Sequence, residues 1–121
     1  PQDIALLDAR RGVAMFEKVN VPVLGVVENM SMYICPNCGH EAHPFGHGGA
    51  KAEAEALGVP CLAEIPLTIG IREQGDAGAP MFVAQPDSPE ANAFMKLAAN
   101  VHEALQNQVS QASGGPKIVF D

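Results

Sequence analysis

A run of apolar, mostly β-branched residues, Val21-Pro22-Val23-Leu24-Gly25-Val26-Val27, lies between a helical stripe and a loop rich in histidine, glycine and cysteine. A strand that is apolar at nearly every position has no polar face to show to water. It suits a parallel sheet covered by helices on both faces. Ahead of the run, Leu6, Ala9, Val13 and Phe16 recur at helical spacing and predict an amphipathic helix over residues 3–18, ended by Asn20 and Pro22. After it, Glu28-Asn29-Met30-Ser31 leaves the strand and residues 32–47 form a long loop, with a small hairpin around Cys35 and Cys38. Gly48 and Gly49 open a helix over 50–57, which Gly58 and Pro60 close.

Residues 61–65 read as a second short strand ended by Pro66, followed by a short helix over 68–74. Residues 81–84 read as a weaker strand or extended stretch. Ser88 caps and Pro89 opens the longest helix, about 89–108, with its face at Ala91, Phe94, Ala98, Val101 and Leu105. Helix, strand, helix, strand, helix is α/β order, with a parallel sheet and right-handed crossovers. Residues 1–108 are therefore one α/β unit carrying a loop at 30–48. Residues 109–121 are a linker and tail, with a candidate edge strand at 117–120. In such sheets ligands sit beyond the carboxyl ends of strands. Asn29 and Pro66 are expected there, on the same edge as the cysteines.

Cys35-Pro36-Asn37-Cys38-Gly39 carries the chemistry. Two thiolates two residues apart can bite one metal centre, because a tight turn aims both sulfurs the same way. Pro36 presets the turn and Gly39 allows the backbone after it. Two thiolates do not fill a four-ligand site. The remainder must come from His40, His43 and His47 in the same loop, from a bound cofactor, or from a second copy of the chain. Cys61, in an apolar strand, reads as a small buried hydrophobe. Arg10-Arg11 and the Glu53/Glu55 pattern read as solvated faces.

The 121 residues carry a net charge of −7, which repels phosphate backbones and argues against nucleic acid as a partner. No apolar run approaches the roughly 20 residues of a membrane helix, and no secretory leader begins the sequence. With an odd number of cysteines, three, these features fit a reducing cytoplasm in which thiols are kept for metal. Pro1-Gln2-Asp3, with no initiator Met, runs straight into the helical stripe and reads as a chain cut from a longer protein.

Four ordered blocks resemble one family: Val26-Val27-Glu28-Asn29-Met30-Ser31, Cys35-Pro36-Asn37-Cys38-Gly39, Phe45-Gly46-His47-Gly48-Gly49-Ala50 and Glu64-Ile65-Pro66-Leu67. They look like the Mrp/ApbC iron–sulfur carrier ATPases, relatives of MinD and the nitrogenase iron protein. The match corresponds to the C-terminal part of that family's P-loop α/β domain. The resemblance implies a [4Fe–4S] cluster bridged between the subunits of a homodimer, each giving Cys35 and Cys38, and handed to apo iron–sulfur client proteins. It also implies that Asn29 contacts the adenine of Mg-bound ATP, with Pro66 lining the same pocket. Zinc, held by Cys35, Cys38 and two of the loop histidines in a small interaction module, is the alternative. One part of the family pattern is missing. No G-x-x-x-x-G-K-S/T loop is present, and no carboxylate that would help hold Mg²⁺ is identifiable, so this chain alone is expected not to hydrolyse ATP.

Overall fold

The structure is a computed structural model and describes residues 1–112. The expected edge strand at 117–120 lies outside those residues. In chain order the elements are α1 (Asp3–Lys18), β1 (Val26–Ile34), β2 (Glu41–Ala42), α2 (Gly49–Leu57), β3 (Cys61–Leu67), α3 (Ile69–Asp76), α4 (Met81–Ala84) and α5 (Pro89–Ala112). The sheet runs β2-β1-β3. β1 and β3 are parallel, joined by the α2 crossover, whereas β2 is antiparallel to β1. The α/β class holds, and the cysteine hairpin adds an antiparallel strand to the expected parallel pair.

Three local expectations are corrected. The strand placed at 21–27 starts only at Val26, whose N–H reaches the Pro60 carbonyl at 2.9 Å. Pro22 has no N–H to donate, and residues 21–25 have no partner strand among the described residues. The apolar run is also not covered on both faces, since Val21 and Val27 are exposed. The strand then continues through residues 28–34 instead of leaving at Glu28. Asn29 and Pro66 therefore lie inside strands, not beyond their ends. Finally, residues 81–84 are a helical turn. Val83 and Ala84 donate to the Pro80 carbonyl at 2.8 and 3.0 Å, and Met81 is buried. With no strand edge beside it, that segment satisfies its backbone locally.

Leu62 and Ile65 of β3 form the core with Ala50 and Ala54 of α2, Met81 of α4 and Ala91 of α5. The Ser88 hydroxyl accepts from Ala91 N–H at 3.1 Å, as expected of a cap, and Asn100 donates to the Leu62 carbonyl at 2.7 Å, tying α5 to β3. α1 is different. None of its residues is buried, and Ile4, Leu7, Met15 and Phe16 are exposed. It is fixed to α2 by Arg10 Nε and Glu53 Oε2 at 2.6 Å. Glu53 is buried, the one departure from the solvated faces that the sequence pattern suggests, while Arg10, Arg11 and Glu55 are exposed.

β1 carries the irregularity that shapes the site. Asn29 is in register with Ile65, and Tyr33 with Leu67. Met30, Ser31 and Met32 therefore occupy the register across from Pro66 alone. Pro66 has no N–H for the ladder, and a bulge is where a strand tolerates that. Met30 takes a left-handed backbone, φ 56°, at the bulge.

Candidate metal centre

The bulge turns Ser31 inward, where it is fully buried. Its hydroxyl donates to Glu28 Oε1 at 2.6 Å. Glu28 Oε2 accepts from Ala50 N–H at 2.8 Å, in the first turn of α2. Glu28 is 2 % exposed. Burial on its own would raise its pKa. The Ser31 hydroxyl and the Ala50 N–H, helped by His47, nevertheless hold it below the usual glutamate value. A charged carboxylate at a helix N-terminus is favourable in its own right. One buried group thus joins the bulge of β1 to α2.

From that base β1 runs on to Ile34, and β2 pairs back through Tyr33–Ala42 and Ile34–Glu41. Cys35 N–H donates to the His40 carbonyl, and Gly39 N–H to the Cys35 carbonyl, both at 2.9 Å. Gly39 sits at φ +72°, so the residue following the second cysteine is left-handed and glycine fits it. The expected hairpin is present, with both thiols free. Cys38 is exposed and Cys35 half-exposed. The backbone N–H groups of Cys38 and Asn37, then the Cys38 thiol, donate to the Cys35 sulfur. Together they lower its pKa against a small opposing effect of burial. The shift favours the thiolate, the form that binds metal.

The histidines follow the hairpin but do not complete a tetrahedron with the thiols. No three His, Cys, Asp or Glu side chains among the described residues gather into a metal-holding group. His43 and His47 instead meet each other, with Nδ1 atoms 3.3 Å apart. Cys61 lies across from Val26, at the opposite end of β1 from Cys35. Burial, then the charges of Glu64 and Glu28, push its thiol pKa up, as befits a packing residue.

Asn29 is exposed, and its Oδ1 accepts from Met30 N–H at 3.0 Å, bracing the bulge. Pro66 lines a mainly apolar cleft of about 300 Å³ with Tyr33, Ile34, Pro36, Thr68 and Ile69. The cleft borders the cysteine hairpin and does not include Asn29, so the structure does not bring the two expected nucleotide contacts into one pocket. Glu28 and Ser31, which brace the base of the hairpin, are the residues that sequence reasoning passed over. The available signal was a glutamate directly after Val26-Val27, followed three residues later by serine.

Residues 1–102 match the family described as ParA, NUBPL iron-transfer P-loop NTPase. The chain is 58% identical over 98 residues to an iron-sulfur cluster carrier protein of Pseudomonas fragi, covering 81% of this chain and 34% of that protein. It is 49% identical over 107 residues to the iron-sulfur cluster transfer protein NUBPL of Mus musculus, covering 88% of this chain and 34% of that protein. A nucleotide-binding protein from Archaeoglobus fulgidus, solved in complex with ADP, superposes with a TM-score of 0.55. It is 32% identical, and the match covers 68% of this chain and 32% of that one. The chain spans about a third of the length of these relatives. It belongs to the ParA family of NUBPL-type iron-transfer P-loop NTPases.

Proposed function

We propose that this chain is the cluster-holding part of an iron–sulfur carrier. In this reading Cys35 and Cys38 give two thiolates and a second copy of the chain gives two more. A [4Fe–4S] cluster is then carried between the subunits as cargo for apo client proteins. The observation that carries this reading is a thiol pair, Cys38 exposed and Cys35 half-exposed, with the Cys35 pKa lowered by neighbouring donors and no third side-chain ligand gathered beside it among the described residues. The residues fit half of such a site. Exposure on the open side of the hairpin lets the thiols of an acceptor replace Cys35 and Cys38 one at a time. The relatives named as carrier and transfer proteins support the same role.

ATP dependence belongs, in this proposal, to a complete protein that includes a P-loop. Asn29 would offer its remaining Nδ2 donor to an adenine ring nitrogen, and Pro66 would line the approach. No phosphoryl-transfer step is assigned to these residues, because the lysine-bearing loop such a step needs is not among the 121.

Anaerobic reconstitution with iron and sulfide tests the reading. A brown protein with broad visible absorption is expected, and the colour disappears in Cys35→Ala or Cys38→Ala. A colourless protein that retains one zinc per chain under the same conditions contradicts it.

A further inference from the structure

We propose that His43 and His47 form a second, thiol-independent site for a divalent cation of borderline softness, such as Zn²⁺, Co²⁺ or Ni²⁺. The two Nδ1 atoms are 3.3 Å apart. Two nitrogens bound to one tetrahedral ion at about 2.0–2.1 Å are themselves separated by about 3.3–3.4 Å. The unliganded pair therefore already has the bite of a chelate. The rings meet edge-on, at 64° with centroids 4.3 Å apart, so the nitrogens converge without the rings stacking face to face.

The surroundings favour a cation. Glu41 Oε1 lies 3.2 Å from His43 Nε2, on the far side of the ring. A carboxylate in that place is how a metal-ligating histidine is commonly oriented. His43 Nδ1–H donates to the Ser31 carbonyl at 3.1 Å, so an oxygen dipole already lies beside that nitrogen. The buried Glu28 carboxylate interacts electrostatically with His47. A cation bound between the rings takes the place of the Nδ1 proton, with His43 shifting to the tautomer whose Nε2–H faces Glu41.

The backbone holds the pair together. His43 follows β2, which is paired to the end of β1, and Gly46 N–H donates to the His43 carbonyl at 3.2 Å. No third His, Cys, Asp or Glu joins the pair among the described residues, and His47 is exposed. Water therefore completes the coordination, and the ion exchanges readily. The site differs from the zinc arrangement suggested by the sequence, because it uses neither Cys35 nor Cys38. It does not depend on the cluster proposal.

The test is Co²⁺ titration of the full chain carrying Cys35→Ser and Cys38→Ser, followed by visible absorption and calorimetry. One Co²⁺ per chain is expected, with d–d bands and no sulfur-to-cobalt charge transfer. Affinity falls about tenfold or more in His43→Ala or His47→Ala and stays unchanged in His40→Ala. Since His47 is exposed, His47→Ala should melt like its parent, which separates lost ligation from lost fold. No stoichiometric binding, or equal binding after His47→Ala, overturns the proposal.

Discussion

The tip of the cysteine hairpin and the base that carries it follow opposite rules. At the base, Glu28 and Ser31 are buried, one hydrogen bond crosses from β1 to α2, and a charge is held inside by a hydroxyl and a helix N–H. At the tip, Cys38 is exposed, and the turn is held by bonds that stay within six residues. A group that is costly to leave unpaired makes the base stiff. The tip has little to lose by changing partners. The difference separates placing the thiols, which the base does, from sharing them, which the tip allows.

The comparison makes its strongest statement at the tip. Cys35→Ala or Cys38→Ala should abolish cluster retention entirely, while Cys38→Ala, at an exposed position, changes unfolding free energy by no more than about 0.5 kcal/mol. Iron content and a urea melt measured on the same sample check this. A large loss of stability would show that the tip is structural after all.

The base should behave in reverse. Glu28→Ala strands the Ser31 hydroxyl and the Ala50 N–H in a buried place and is expected to cost about 2–4 kcal/mol. Chemical denaturation reads this directly.

The same carboxylate predicts an acid limb. Its pKa is lower folded than unfolded, so its contribution is present above the ordinary carboxylate value and is lost as pH falls through the folded one. Stability should therefore drop below about pH 4 and drop less steeply in Glu28→Gln. Parallel pH profiles for the two proteins would contradict the assignment.

The smallest effect expected is at the turn. Gly39→Ala meets no atom within 4 Å but must adopt φ +72°. It should cost about 1 kcal/mol, confined to the hairpin. Hydrogen exchange at Cys35 and Gly39 should rise while exchange in β3 stays unchanged.

What could be read in the sequence was what neighbours in sequence decide. The hairpin follows from Cys-Pro-Asn-Cys-Gly, α1 from its stripe, and α5 from Ser88-Pro89 and the apolar spacing behind them. The base could not be read this way. Glu28 looked like the end of a strand because its partner Ala50 lies 22 residues further on. The bulge depends on Pro66 reaching the register of residues 30–32, which no local pattern encodes. Glu53 looked solvated for the same reason, since it is buried against Arg10 only when α1 meets α2. Residues 81–84 have strand-like composition, yet composition does not supply an edge to pair with.

The central claim is that each chain brings half of the thiolate ligation. Native mass spectrometry of the anaerobically reconstituted protein tests it most directly, because it weighs the assembly and its iron and sulfide together. The account predicts a dimer carrying one [4Fe–4S] cluster, with cluster-free chains running as the lighter species. A monomer carrying a complete metal centre of its own would contradict it.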